Sequence, residues 1–218
     1  MISKIKKKIL FLVPLPPPLH GVSMINKSIF DSKKIKKSFS TNFLNSSPTK
    51  KFGHIQKFKL LKLLTFIKIC LNLITRLKQF KPNLVYLNLT PHGIGFYKDI
   101  ILIFIIKIFK VKIVNHIHGK GIKDEIKKNF LIKKLYKYVF KNIDLICLSK
   151  LLIKDIKQVR DKSSSIQIVN NFGFNNRKLN SKLKNKKITF IFLSNLIPAK
   201  GILTFLDAIE ILQKKNNR

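Results

Sequence analysis

Short runs of apolar residues alternate along the chain with longer stretches in which apolar and polar positions recur every three or four residues. Apolar runs of this length are typical of strands buried on both faces of a parallel sheet. We therefore predict that Leu10, Val85, Val114 and Ile146 lie in neighbouring strands of one sheet. The runs that carry this prediction are Lys8–Val13, Phe39–Leu44, Leu84–Leu89, Val111–His118, Asp144–Leu148 and Ile166–Val169.

Helical patterns separate the apolar runs. Strand and helix in alternation are typical of βαβ units, so we predict an α/β fold with a Rossmann-like parallel sheet and helices on both faces. The helix predicted at Lys57–Phe80 has a broad apolar face and a basic stripe, and either packs on the sheet or lies at a membrane interface. The predicted helices are Val22–Asp31, Lys57–Phe80, Phe96–Phe109, Lys123–Lys141 and Leu151–Arg160.

The pattern changes after residue 170. Residues 171–187 are rich in Asn, Lys and Ser and poor in apolar residues, which predicts a linker between domains. An apolar run at Ile188–Leu193 and a helical pattern at Gly201–Leu212 follow it. We predict a first domain at 1–170, a linker at 171–187, and the first strand and helix of a truncated second domain at 188–218.

Composition indicates a folded and very basic protein. Hydrophobic residues make up 45% of the 218 residues, and the net charge is +36. A charge of this size attracts nucleic acid or anionic lipid. Lysine outnumbers arginine 41 to 4, whereas sequence-specific nucleic-acid recognition relies on arginine. We expect biased residue usage to explain the excess of lysine. We also expect the positive charge to attract the protein to an anionic membrane surface, and we expect no specific nucleic-acid binding.

The amino-terminal residues and the apolar segments indicate a protein without a signal peptide or membrane span. The apolar run at Ile9–Val13 is too short for a signal peptide, and lysines interrupt the apolar stretch after Ile100–Ile106. Cys70 and Cys147 lie far apart, each among apolar residues, as expected for reduced cysteines in a cytosolic protein.

The loop Pro14–Met24 is the first candidate for ligand binding. It joins the first predicted strand to a helix, and ligands of open α/β sheets bind at the carboxyl ends of strands. Gly21 would let the backbone approach a ligand at the helix N-terminus, with His20 and Ser23 beside it. The same residues are equally consistent with a rigid turn.

The segment Asn115–Gly121 is the second candidate. Alternation along a strand places His116 and His118 on the same face, with His118 at the strand's carboxyl end. No Asp, Glu or Cys lies close in sequence to complete a metal site, so we predict neither a metal nor a cofactor. His116 is interpreted as a core histidine and His118 as a ligand contact.

The third candidate is the segment Phe192–Gly201. Lys200 stands where the predicted second helix begins, and an ammonium group beside a helix N-terminus suits a diphosphate. The alternative is an ordinary solvated lysine, which a chain with 41 lysines contains many times.

Taken in order, these segments resemble family 4 glycosyltransferases, retaining enzymes with the GT-B fold. The first loop is similar to the family's PPxxGG loop, with Pro17, Pro18 and Gly21 at matching positions and His20 in place of a glycine. The resemblance implies that His118 is the catalytic-site histidine that contacts the transferred sugar.

The later segments extend the resemblance over most of the chain. The run ending at Ser149 is similar to the last strands of the family's first domain, and Val169–Asn175 is similar to the interdomain segment PNGVD. FLSNLIPAKG is similar to the family's GRLxxxKG motif. Lys200 then takes the position of the lysine that holds the donor diphosphate, and Asn195 stands at its partner arginine's position.

The resemblance implies an enzyme that transfers a sugar from a nucleotide-sugar donor to a surface-glycan acceptor, such as a lipid-linked polysaccharide or lipopolysaccharide. It implies a peripheral protein at the inner, cytoplasmic face of the plasma membrane. Because the predicted second domain is truncated, we expect weak or no activity from this chain alone. The alternative is a non-catalytic half that binds acceptor or membrane and works with a separate carboxyl-terminal-domain chain.

Overall fold

A six-stranded parallel β-sheet forms the centre of the protein. A computed structural model describes residues 5–47, 59–171, 189–194, 196 and 198–216. In this part of the chain the strand order is β2-β1-β3-β4-β5-β6, and every pair of neighbours is parallel. The α/β, Rossmann-like fold is thereby confirmed. The strands are β1 Lys8–Val13, β2 Ser40–Asn45, β3 Leu84–Leu87, β4 Lys112–Ile117, β5 Ile143–Cys147 and β6 Ile166–Ile168.

Helices connect the strands. Gly21–Asp31 and Lys33–Ser38 lie between β1 and β2, and five further described helices lie in the later crossovers, as parallel strands require. The last described helix follows β6. The described helices are α1 Gly21–Asp31, α2 Lys33–Ser38, α3 Lys59–Phe80, α4 Gly93–Ile108, α5 Ile122–Lys128, α6 Phe130–Phe140, α7 Lys150–Ile156 and α8 Ile202–Asn216.

The register of the strands sends their side chains to two cores, one on each face of the sheet. Leu10 pairs with Val85, and both belong to the larger core, against which α3 to α7 pack. Val114 and Ile146 lie in the neighbouring strands, so the prediction of one common sheet is confirmed, but both face the smaller core with α1 and α2. Helices therefore cover both faces.

Three local predictions differ from the structure. The helix predicted at Lys123–Lys141 is two helices, because Asn129 adopts an extended backbone and its side chain accepts a hydrogen bond from the N–H of Leu131. The short helix α2 was not predicted. The strand predicted at Ile188–Leu193 is wrong for its described residues, 189–193, which are not in a strand. No neighbouring strand pairs with them within the described residues.

The chain divides into two compact units, Met1–Phe172 and Gly173–Arg218. All residues of both cores belong to the first unit. The predicted linker, residues 171–187, lies outside the described residues except for Asn171, so its extent stays a prediction. In the second unit, a short 3-10 helix at Pro198–Lys200 precedes α8, and the Phe192 and Phe205 rings lie 5.4 Å apart.

Candidate functional site

A cleft of about 340 Å³ opens at the carboxyl ends of β2, β1, β3 and β4. The strand order reverses between β1 and β3, and ligands of open α/β sheets bind outside the carboxyl ends of strands at such a reversal. Of the sequence-predicted residues in the first unit, His20 and His118 line this cleft. The full lining is Pro14, His20, Val22, Ser46, Ser47, Asn88, Leu89, Thr90, Pro91, Lys98, Asp99, His118 and Gly119.

Two neighbouring histidines lie at the carboxyl end of β4, and His118 of this pair lines the cleft. His116 is buried in β4, and its Nδ1 lies 2.5 Å from the Tyr86 hydroxyl. The ring centroids of His116 and His118 are 4.0 Å apart, which confirms that the two side chains lie together. Burial lowers the pKa of His116 to about 4, and burial together with His116 lowers the pKa of His118 to about 3. Both imidazoles are therefore neutral at physiological pH.

Several polar atoms around the cleft lack a hydrogen-bond partner in the described part of the chain. They include His118 Nε2 and Asn88 Oδ1, both buried. The amide nitrogen of Asn88 donates to the carbonyl of His116, which fixes the side chain and leaves its oxygen unpaired. Since buried polar atoms are normally paired, a ligand hydroxyl or a water that reaches these atoms would supply the missing bonds.

His20 and Ser23 form a reciprocal cap at the start of α1. His20 Nδ1 accepts from the N–H of Ser23, and Ser23 Oγ accepts from the N–H of His20 at 3.0 Å. Ser23 is fully buried, and its hydroxyl also lies 2.9 Å from the carbonyl oxygen of Pro18. The geometry gives both residues a structural role in shaping the loop, while His20 also lines the cleft.

Gly21 is the first residue of α1 and lies in open space. A Cβ atom built at this position would meet no atom within 4 Å. The loop conformation therefore does not require glycine at this position, and a role in admitting ligand stays a prediction.

Asn88, Lys98 and Asp99 line the cleft but were not singled out from the sequence. Asp99 Oδ2 accepts from the N–H of Thr90 at 2.7 Å, and burial raises the pKa of Asp99 above its usual value. The sequence did contain a signal, because Asp99 is one of only nine Asp and Glu residues in the chain and directly precedes a long apolar run. Asn88 directly follows β3, where a sheet presents ligand-binding groups.

The loop after His118 is held by a buried carboxylate from α7. Asp155 is 3% exposed and accepts from the backbone N–H groups of Gly121, Ile122 and Lys123 at 3.0–3.1 Å. Gly121 has a φ of +134°, and a Cβ there would lie 2.6 Å from the His92 ring. These contacts position the segment between His118 and α5.

Of the two predicted site residues in the second unit, the structure describes Lys200. Lys200 is exposed at the end of the 3-10 helix, and Gly201, with a φ of +80°, separates it from α8. Asn195 lies outside the described residues.

The described residues contain no group of three or more His, Cys, Asp or Glu side chains that could hold a metal ion. In that same part of the chain, no helix combines the length and apolar character needed to cross a bilayer. The sequence matches no known family model and no curated protein.

Proposed function

We propose that the protein is a glycosyltransferase that transfers a sugar from a nucleotide-sugar donor to a surface-glycan acceptor at the inner face of the plasma membrane. The observation that carries the proposal is His118, a neutral imidazole with an unpaired Nε2, which lines a cleft at the reversal point of a parallel sheet. The motif resemblance to family 4 glycosyltransferases supports the same assignment and adds retention of anomeric configuration.

The cleft offers groups that suit sugar hydroxyls. A hydroxyl both donates and accepts, so it can pair with an imidazole nitrogen and with the Asn88 amide oxygen. A neutral His118 also avoids placing a positive charge where an oxocarbenium-like centre would develop. We assign His118 to the transferred sugar, with Asn88 and Asp99 as additional binding groups.

We assign the remaining roles in sugar transfer from the motifs that resemble those of family 4 glycosyltransferases. In the transfer, the bond from the anomeric carbon to the diphosphate oxygen breaks. The acceptor hydroxyl gives its proton to the departing diphosphate oxygen as the acceptor oxygen bonds to that carbon. The departing diphosphate gains negative charge, which an ammonium group stabilises. We assign this task to Lys200, and we assign Asn195 to binding of the same donor. We assign the loop of His20 and Gly21 to the acceptor, with Ser23 supporting that loop.

A second candidate function is a non-catalytic half that works with a separate carboxyl-terminal-domain chain. The observation that favours it is the exposed apolar surface of the second unit, where Leu193 is 90% and Leu203 is 59% exposed. A protein chain that covers this surface would bury it. This candidate predicts that nucleotide-sugar turnover appears only when the second chain is added.

A donor-binding titration tests the proposal. Calorimetry with UDP-sugars and GDP-sugars would compare the unchanged protein with Lys200→Ala, and with Lys215→Ala as an exposed lysine of α8 that serves as the control. We expect Lys200→Ala to weaken binding about tenfold or more, because it removes a charge-assisted contact. Equal donor affinity in the unchanged and Lys200→Ala proteins would remove Lys200 from the donor site. Absence of donor binding by the unchanged protein would contradict a donor site in this chain alone and would favour the second candidate function.

A further inference from the structure

Helix α4 is apolar on its outer side as well as on its buried side. Phe96, Ile103 and Ile106 are buried in the larger core. A second apolar stripe recurs on the opposite side at intervals of three and four residues, and its side chains are 47–83% exposed. The stripe consists of Ile94, Tyr97, Ile101, Phe104 and Ile108. Large apolar side chains that recur along the exposed side of a helix indicate an interaction surface.

Helix α3, the neighbour of α4, also exposes apolar side chains. It packs beside α4, and its inward side, including Leu73 and Leu77, belongs to the larger core. Its exposed apolar residues include Leu64, Ile67 and Leu71, with exposures of 46–60%. We name the exposed apolar side chains of α3 and α4 the outer face. Its two components belong to adjacent helices on one side of the sheet.

Lysines lie on α3 and around the carboxyl-terminal ends of α3 and α4. Lys68 is exposed on α3, and further lysines line two grooves at the amino-terminal edge of the sheet, where α3 and α4 end. We name this set the lysine cluster: Lys78, Lys81, Lys107, Lys110, Lys112 and Lys141. Its described carboxylate neighbours include Asp144, 2.9 Å from Lys112, and Asp161, which interacts electrostatically with Lys141. No Asp or Glu occurs in the sequence between Asp31 and Asp99.

We propose that the outer face and the lysine cluster bind the surface of an anionic lipid bilayer. The apolar side chains enter the boundary between headgroups and acyl chains, and the lysines pair with lipid phosphates. This inference rests on the proposed site of action at a membrane, and it identifies the surface that would meet the membrane. Binding to the bilayer requires neither a sugar donor nor catalytic turnover.

The charge of this surface argues for lipid over other occupants. Two copies of the chain joined through their outer faces would bring the lysines of α3 and α4 together, which opposes association. A nucleic acid would pair with the lysines but would leave the Leu and Ile side chains without an apolar partner. An anionic bilayer satisfies both the charge and the apolar stripe.

Vesicle sedimentation without any sugar donor tests the proposal. The vesicles would be phosphatidylcholine alone, or phosphatidylcholine mixed with phosphatidylglycerol. We expect binding to the mixed vesicles, and we expect Ile101→Ser with Phe104→Ser to weaken it about tenfold or more, because two inserted apolar side chains are lost. The matched control is Leu151→Ser with Ile168→Ser, which removes exposed apolar residues elsewhere and should bind as the unchanged protein does. Circular dichroism verifies that each variant is folded.

A second pair of variants tests the charge. Lys78→Gln with Lys110→Gln should weaken binding to the anionic vesicles several-fold, whereas Lys33→Gln with Lys34→Gln, on α2 at the other face of the sheet, should change it less. Failure to bind the mixed vesicles, or unchanged binding by the Ile101 and Phe104 variant, would overturn the proposal. So would a dimer that this variant dissociates. Because no donor is present, these outcomes are independent of the Lys200 titration.

Discussion

His116 and His118 are two neutral imidazoles packed against each other inside the fold. Their pKa values, about 4 and about 3, lie below the value of 6.5 for a free histidine. Just below pH 6.5, the two histidines therefore bind protons in the unfolded chain but remain neutral in the folded chain. Stability from this source is complete above pH 6.5 and is lost as the pH falls towards about 4 for His116 and about 3 for His118.

This predicts a specific dependence of stability on pH. The free energy of unfolding, measured with urea between pH 7 and pH 5, should decrease by about 1 kcal/mol or more per pH unit once the unfolded histidines begin to protonate. In the double variant His116→Gln with His118→Gln the decrease should be smaller. A control variant of the exposed His92, His92→Gln, should keep the full decrease. An equal pH slope in the double variant would show that the two imidazoles are not responsible.

At the scale of the helix and strand, α3, α4 and α6 end in the same way. Each is followed within two residues by a residue with positive φ, and these residues are Lys81 (47°), Lys110 (54°) and Asn142 (58°). Glycine usually occupies such a position because a Cβ atom is disfavoured there. The two lysines therefore carry backbone strain that asparagine carries to a smaller extent.

Replacing one of these lysines by glycine should stabilise the protein. Lys110→Gly is expected to raise the free energy of unfolding by about 1 kcal/mol, because glycine adopts the left-handed conformation freely. Lys110→Ala is the control, since it removes the ammonium group and keeps the Cβ atom. Chemical denaturation would measure both variants. A gain in Lys110→Ala as large as that in Lys110→Gly would mean that charge, and not backbone conformation, is the cause.

At the scale of the whole molecule, the first unit contains both cores. The described core residues all precede residue 172, and they include the sheet and its flanking helices. A unit with its own hydrophobic core is able to fold alone.

A chain that ends at Phe172 should therefore fold and unfold cooperatively. Its melting temperature, followed by circular dichroism, should lie within about 3 °C of that of the full chain, since a shift of that size corresponds to about 1 kcal/mol. The Leu10→Ala variant of the shortened chain is a positive control, because Leu10 is fully buried and its loss should lower the melting temperature clearly. A non-cooperative transition in the shortened chain would show that residues 173–218 complete the fold.

The local pattern of the sequence was sufficient for the class of fold and for the succession of the six strands along the chain. A strand buried on both faces is apolar throughout, and a helix on a sheet is apolar on one side, so β1 and α1 are visible in any short window. The break at Asn129 escaped prediction because an asparagine within a periodic stretch is compatible with a continuous helix. The run at Ile188–Leu193 resembles a buried strand, but a strand also needs a partner, which periodicity does not reveal.

The candidate site was only partly visible in the sequence. His118 and the loop of His20 were recognisable because both follow apolar runs, and the carboxyl ends of parallel strands share one edge of the sheet. Asn88 and Asp99 join them in the cleft only through the strand order and the crossover of α4. Asp155 reaches the loop after His118 from more than 30 residues away.

The division between sequence and tertiary structure follows the range of the interactions. Periodicity is a property of neighbours along the chain, and it identifies strands, helices and the residues that follow each strand. The neutral state of the histidines, the cap and lining roles of His20, and the exposure of the outer side of α4 depend on which distant segments cover each side chain. Only packing across the sheet determines these properties, because a side chain is buried by segments that lie far from it in sequence.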